Sequence, residues 1–260
     1  MKKTAVVICP GRGTYNKAEL GYLQRHHANQ PTLMTKFDAF RKTAGQTPIS
    51  TLDGAARFSA GKHTRGDNAS PLIYAASYFN AQAIRDEFDM LAVTGNSTGW
   101  YIALAVPPLE GRYPMRLPNH VAFHTHLQTP VAKDGQDLLG PKLFAMPDIP
   151  LVGGRGAVWS PKSCSPDELR QYTLGHQVTE TYDFTLAAQT AAKAFAPDVF
   201  ITTGPGTTLG GAVTQSLIEL GWDGMKNGMK NKEDFQSRQS ANPELISMGR
   251  DDQRHLVAHQ

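Results

Sequence analysis

The stretch Met90-Leu-Ala-Val-Thr-Gly95-Asn-Ser97-Thr-Gly99-Trp-Tyr-Ile-Ala-Leu-Ala-Val106 constrains the fold more than any other. A mostly apolar run ends at Gly95, a Gly-x-Ser-x-Gly follows, and good helix formers come next. This is the order of a nucleophile elbow: strand, sharp turn, helix. The turn strains the backbone at the serine, and the flanking glycines keep the turn clear of Cβ clashes. The Ser97 hydroxyl then stands at the C-terminal edge of a parallel sheet. There the Thr98 N–H and the helix dipole can face a developing oxyanion. The five-residue motif is common in loops. The strand before it and the helix after it supply the context that it needs.

Two further apolar runs support an α/β reading. Thr4 to Cys9 is a short β-branched run suited to a buried parallel strand, and it ends in Pro10-Gly11-Arg12-Gly13-Thr14. Asp198 to Thr203 is a second such run, ending in Gly204-Pro-Gly206-Thr-Thr-Leu-Gly210-Gly211. Three strands, each followed by a Gly-rich turn, predict a parallel sheet with flanking helices and its site at the strand C-terminal ends. The expected helices are Leu33 to Ala44, one starting at Asn68-Ala-Ser-Pro71 with Asn68 as cap, Phe184 to Phe195, and Ala212 to Leu220. Ser165-Pro166-Asp167-Glu168 is a further helix start. Residues 46–67 read as loop, 129–164 as loops and short strands, and the tail from about 223 as loop. The 260 residues, 40% hydrophobic and 19% charged, suffice for one large α/β domain with a real core.

The net charge of +3 is small and its basic residues are scattered, so no nucleic acid is expected. No run approaches the ~18 apolar residues of a membrane span. The N-terminal apolar run is about five residues, too short for a signal peptide. Cys9 and Cys164 sit in separate segments, which fits a reducing cytoplasm. His26 and His27 read as surface residues. His120, His124 and His126 would share one face of a strand in Asn119 to Gln128. That spacing admits metal, but three histidines on one strand rarely converge. The simpler reading is one functional histidine beside two incidental ones, with no metal.

These segments, taken in order, resemble the malonyl-CoA:acyl carrier protein transacylase family, which includes the acyltransferase domains of fatty-acid and polyketide synthases. Cys9-Pro10-Gly11-Arg12-Gly13-Thr14 resembles its Phe-Pro-Gly-Gln-Gly-Ser loop, and Gly95-Asn96-Ser97-Thr98-Gly99 its Gly-His-Ser-x-Gly elbow. Leu117 to Leu127 resembles the segment with the catalytic histidine and selects His124. Gly204-Pro-Gly206-Thr-Thr-Leu209 resembles the late Gly-Pro-Gly-x-x-Leu turn, and Gln177 matches a glutamine ahead of the last large helix.

The resemblance implies an α/β-hydrolase-like core and a Ser97/His124 dyad without a triad carboxylate. It implies an oxyanion hole from the N–H groups of Arg12 and Thr98, a carbonyl near Gln177 orienting the imidazole, and Gly11 and Asn96 in the substrate site. The acyl group would pass from coenzyme A to acyl carrier protein by ping-pong exchange. Coenzyme A serves there as substrate, with no cofactor, in a cytoplasmic monomer. Arg12 replaces glutamine and Asn96 replaces histidine. In the family a ferredoxin-like small subdomain lies between the elbow helix and the catalytic-histidine segment, and an arginine just after the elbow pairs with the malonyl carboxylate; here only the proline-rich linker 106–118 joins the two, and no arginine matches that motif. Arg112 and Arg116 lie in that linker, and Arg116 is the candidate carboxylate partner. Residues 1–260 are therefore expected to form a single acyltransferase core. A serine thioesterase or esterase with the same dyad, and a non-catalytic scaffold for carrier protein, are the competing readings.

Overall fold

The structure, a computed structural model, describes residues 2–104, 123–222 and 232–257. Its first strand, β1 (Lys3–Cys9), is buried from Ala5 onward. Alternate side chains face two different cores. Ala5, Val7 and Cys9 join one cluster, and Val6 and Ile8 join the other. A strand covered on both faces needs a continuous apolar run, which is what these residues provide.

The first four of the five helices before the next strand are α1 (Tyr22–His27), α2 (Pro31–Thr43), α3 (Ile49–Asp53) and α4 (Ala60–His63). Of these, α3 and α4 correct the loop expected over 46–67. They are short, and α3 is held by Asp53, whose carboxylate accepts from Tyr15 Oη at 2.7 Å and from the Gln24 amide at 3.1 Å. The long helix α5 (Gly66–Glu87) begins two residues before Asn68, with Arg65 as its N-cap residue. Asn68 is therefore not the cap. Its amide accepts from Arg41 Nη2 at 2.8 Å and donates to the Lys62 carbonyl at 3.0 Å. Pro71 lies inside α5 and has no N–H for the Asp67 carbonyl. Arg41 Nη1 donates to that carbonyl instead, at 2.9 Å.

Strand β2 (Phe88–Gly95) runs into α6 (Thr98–Ala103). A 3-10 turn over His126–Gln128 leads to α7 (Thr129–Leu138), a helix where only loop and short strands were expected. The short strands β3 (Leu151–Val152) and β4 (Val158–Trp159) are present in that stretch as a hairpin. Helix α8 (Pro166–Gln171) starts as expected, with Ser165 Oγ accepting from the Glu168 amide. It passes through a π-turn, Tyr172–His176, into α9 (Gln177–Thr179). Next come α10 (Phe184–Phe195), β5 (Val199–Thr202) and α11 (Leu209–Leu220). The C-terminal part holds α12 (Lys232–Ala241), β6 (Leu245–Ser247) and α13 (Asp251–Arg254), which corrects the expected loop.

The sheet order is β4-β3-β2-β1-β5-β6, parallel throughout except for the antiparallel β3–β4 pair. Helices α5 and α6 cover one face, with Leu72, Ile73, Phe79 and Trp100 in the core. Helices α10 and α11 cover the other, through Ala187, Ala191, Val213 and Leu217. Cys9 stands opposite Gly95, and Ile8 opposite Thr202. The register thus brings the turns after β1, β2 and β5 out side by side at one edge of the sheet.

His27 is not a surface residue: it is 4% exposed. Its Nε2 lies 2.9 Å from Arg254 Nη2 and 2.9 Å from Asn80 Oδ1. Arg254 also donates to Tyr22 Oη at 2.6 Å and to the Met248 carbonyl at 3.0 Å. This network ties the C-terminal segment to α1 and α5. Burial and the neighbouring guanidinium push the His27 pKa down to about 3. Cys9 and Cys164 form no disulfide, and no helix among the described residues is long and apolar enough to cross a membrane.

Candidate active site

The elbow has the expected strain. Ser97 sits at φ 56°, ψ −115° between the end of β2 and the start of α6. Its neighbours explain the two glycines. A Cβ on Gly95 would lie 1.9 Å from the Gly99 carbonyl oxygen, and one on Gly99 would lie 2.1 Å from the Cys9 carbonyl oxygen. The turn is closed by Gly99 N–H to Asn96 O at 2.9 Å and Trp100 N–H to Ser97 O at 3.0 Å. It is joined to β1 by Asn96 N–H to Cys9 O at 3.1 Å. Ser97 itself is partly exposed.

The loop after β1 lies against this turn: a Cβ on Gly11 would be 3.5 Å from Ser97 Cβ. Arg12 follows, with its guanidinium turned to the Thr64 carbonyl at 3.1 Å. The role expected of Arg12 therefore rests on its backbone. Thr98 is the first residue of α6, so its N–H has no intrahelical acceptor. The third turn braces the first. Ser77 Oγ donates to the Gly204 carbonyl at 2.5 Å, and Gly206 packs so closely that a Cβ there would meet Thr14 O at 2.6 Å. Thr14 Oγ1 in turn donates to the Gly11 carbonyl at 3.0 Å.

His124 is held by a different part of the chain. Its N–H donates to Val178 O at 2.9 Å, and its Nδ1 lies 2.7 Å from Gln177 O. A carbonyl only accepts, so Nδ1 carries the proton and Nε2 the lone pair. That Nε2 is buried and makes no hydrogen bond among the described residues. Burial holds the His124 pKa below the ordinary 6.5, and the Gln177 carbonyl opposes the shift. The imidazole is thus kept as a neutral base with a free nitrogen. No Ser97–His124 hydrogen bond is formed in this structure, as is common before a substrate tightens such a pair.

The histidine is not on a strand. His124 lies in a turn at φ 65°, and His126 begins the 3-10 turn, so the even spacing does not produce one ligand face among the described residues. His120, Arg112 and Arg116 lie outside the described residues, as does the linker 106–118. Two residues that the sequence reading missed connect the halves of the site. Trp100, fully buried on α6, donates from Nε1 to Thr173 Oγ1 at 3.1 Å, in the turn that leads to Gln177. Tyr182 Oη lies 3.3 Å from Thr94 Oγ1 beside the elbow, and its ring is 6.0 Å from that of His124. A tryptophan three positions after the serine is the only sequence signal for the first, and it reads as ordinary core.

A parallel sheet with helices on both faces and a strained serine between strand and helix define an α/β-hydrolase-like core. The fold is that of the malonyl-CoA:acyl carrier protein transacylases. The structure of this enzyme from Xanthomonas oryzae pv. oryzae matches with TM-score 0.69 and 14% identity over 100% of both chains. An acyl carrier protein S-malonyltransferase from Vibrio cholerae matches with TM-score 0.68 and 14% identity, over 98% of this chain and 99% of that one. A malonyl-transacylase solved with its type II PKS acyl-carrier protein matches with TM-score 0.64 and 15% identity, over 84% and 94%. No protein-family sequence profile matches the chain, and no curated protein matches it by sequence.

Proposed function

We propose that this chain is an acyltransferase that carries a malonyl or related acyl group from coenzyme A to acyl carrier protein. The observation that carries the reading is the strained Ser97 at the elbow of a transacylase fold, together with the free, neutral Nε2 of His124. In the first half-reaction, Nε2 takes the Ser97 proton while Oγ attacks the thioester carbonyl. The backbone N–H groups of Arg12 and Thr98 receive the oxyanion. His124 then gives that proton to the sulfur as the C–S bond breaks, so coenzyme A leaves as its thiol and Nε2 is neutral again. In the second, the carrier's thiol gives its proton to His124 and attacks the acyl-serine, and Ser97 recovers its proton as it leaves. The Gln177 carbonyl does the work that a carboxylate does in a triad: it fixes the tautomer and ring orientation of His124.

The reading places Gly11 and Asn96 beside the bound acyl group and Arg116 as its carboxylate partner. It treats residues 1–260 as one core working as a cytoplasmic monomer. Thioester hydrolysis by the same dyad is the second reading. It is favoured by the short linker 106–118, which leaves less protein to shield an acyl-serine from water.

Intact-protein mass spectrometry separates these. Malonyl-CoA is mixed with wild type and with Ser97→Ala, and holo carrier protein is then added. An adduct on wild type alone that moves to the carrier supports the transferase. An adduct that decays to free acid whether or not carrier is present supports the hydrolase. Absence of any adduct with malonyl-, acetyl- and methylmalonyl-CoA overturns both.

A further inference from the structure

Arg254 lies in α13, far along the chain from Ser97, and is buried. The four N–H groups on its two terminal nitrogens all have acceptors. Nη1 donates to Tyr22 Oη at 2.6 Å and to Met248 O at 3.0 Å, and Nη2 donates to His27 Nε2 at 2.9 Å and to Asn80 Oδ1 at 3.0 Å. None of these four acceptors is a carboxylate. Tyr22 Oη takes a second hydrogen bond from Asn80 Nδ2 at 3.0 Å and gives its own proton to Met248 O at 3.0 Å. A polar network saturated at its centre holds one arrangement. A guanidinium suits it because its donors stand in a fixed plane, whereas the three donors of a lysine ammonium cannot fill four positions.

Two paths lead from this knot to the loop after β1. The first goes through Gly204. Tyr22 Oη and Asn80 Nδ2 press so closely on this residue that a Cβ has no room there, and Ser77 Oγ, one turn earlier on α5, holds its carbonyl. The second goes through the turn after β6. Met248 gives its own N–H to Thr202 O at 2.9 Å, and the backbone of the next residue, Gly249, lies against Gly206 O. Both paths meet in the Gly204–Gly206 turn. Gly206 abuts Thr14 O, and Thr14 Oγ1 donates to the Gly11 carbonyl at 3.0 Å. That carbonyl and the Arg12 N–H belong to one peptide group. The group is planar, so fixing the Gly11 oxygen aims the Arg12 N–H in the opposite direction. The Thr98 N–H has no such dependence, since the elbow closes its own turn by Gly99 N–H to Asn96 O and Trp100 N–H to Ser97 O.

We infer that Arg254 is a positioning residue for the Ser97 site: through the Gly204–Gly206 turn and Thr14 it aims the Arg12 N–H at the oxyanion. The inference rests on the acyl-transfer reading above for what that N–H does. An N–H aimed at charge that develops in the transition state speeds the step without tightening binding of the ground state. A misplacement of about 1 Å costs on the order of 10²-fold.

The test compares wild type with Arg254→Gln, with the milder Tyr22→Phe, and with Leu217→Ala, a core truncation on the opposite face of the sheet that serves as a control for lost stability. Backbone-assigned ¹H–¹⁵N spectra of the free full chain are expected to show the Arg12 amide peak moved in Arg254→Gln and, in the same direction but less, in Tyr22→Phe, with the Thr98 peak in place. Single-turnover acylation by malonyl-CoA is expected to slow by about 10- to 100-fold in Arg254→Gln at an unchanged half-saturating concentration, and by a smaller factor in Tyr22→Phe. Leu217→Ala is expected to keep both the peak and the rate. Tyr22→Phe decides the matter alone if Arg254→Gln does not fold. Three outcomes overturn the proposal: an Arg12 peak that stays in place, a raised half-saturating concentration with the limiting rate unchanged, or the same pattern in Leu217→Ala. A wild type that takes up no acyl group defeats the acyl-transfer reading, and the Arg12 peak, read without substrate, still decides whether Arg254 sets that amide.

Discussion

The two halves of the site are built on opposite principles. Ser97 is held by its own neighbours in sequence: Asn96, Gly99 and Trp100 close the turn around it, and β1 supplies one carbonyl. His124 is held by residues 53 and 54 positions away, Gln177 and Val178, through one ring bond and one backbone bond. The serine half is a local conformation, and the histidine half is a tertiary contact. A local turn keeps its geometry if the surrounding fold loosens somewhat. A contact between distant segments does not, so loosening of the π-turn and α9 is expected to disable the base before the nucleophile.

The predictions that test this contrast differ in size. Ser97→Ala should abolish the acyl adduct and lower turnover by about 10⁴-fold or more, with thermal stability unchanged, since the strain resides in the backbone. A comparable adduct on the variant would remove Ser97 from the chemistry. His124→Ala should lower the acylation rate by about 10³-fold, within the range of a lost general base, while Ser97 still reacts slowly with a strong acyl donor.

The rate should also follow the neutral form of His124. Its folded pKa is lowered, so neutral base persists below pH 6.5 and activity is lost only as pH falls through that depressed value. A rate profile with its acid inflection above 6.5 would count against this base. That profile must be read apart from unfolding, for which His27 supplies a marker. Its pKa falls from 6.5 in the unfolded chain to about 3 in the fold. The stability it contributes is complete above pH 6.5 and drains away as pH falls toward 3, by up to about 1.4 kcal/mol per pH unit. Denaturant titrations at pH 7 and pH 5 should show that slope, and His27→Gln should flatten it. Smallest of all, Gln177→Ala should cost less than about tenfold in rate, because the carbonyl that orients His124 belongs to the backbone and remains. A loss as large as that of His124→Ala would show that the side chain carries the positioning.

The same division governs what the sequence reveals. The elbow, the Pro10–Thr14 loop and the Gly204–Gly206 turn are legible because each is a strand end followed by turn residues, a signal carried by adjacent positions. The core strands are legible for the same reason. Asn68 misleads as a cap because Arg41, 27 residues away, claims its side chain and also satisfies the Asp67 carbonyl that Pro71 leaves open. Helix α7 carries Pro130 and Gly135, residues that read as breakers, and buries only Ala132. Strand β6 has three residues and is defined by pairing with β5, which no local pattern announces. His27 is buried by an arginine 227 positions on. Within the site, even spacing offers three histidines on one strand, and only the family resemblance singles out His124.

The close backbone contacts around the elbow also bear on how such a protein can change over time. Gly99 meets the Cys9 carbonyl at a distance that excludes any side chain, and Gly249 meets Gly206 in the same way, with a Cβ there only 1.8 Å from the carbonyl oxygen. These seams join main chain to main chain. They fix where the Arg12 and Thr98 amides stand without consulting the residues that bear them. An arginine at position 12 and an asparagine at position 96 are then open to replacement at little cost to the frame. A protein built this way can rewrite the lining of its site, and so the groups it accepts, while the seam glycines admit almost no substitution. A saturation library read for folded protein should find tolerance at 12 and 96 and near-intolerance at 99 and 249, a map of inheritance drawn by the backbone.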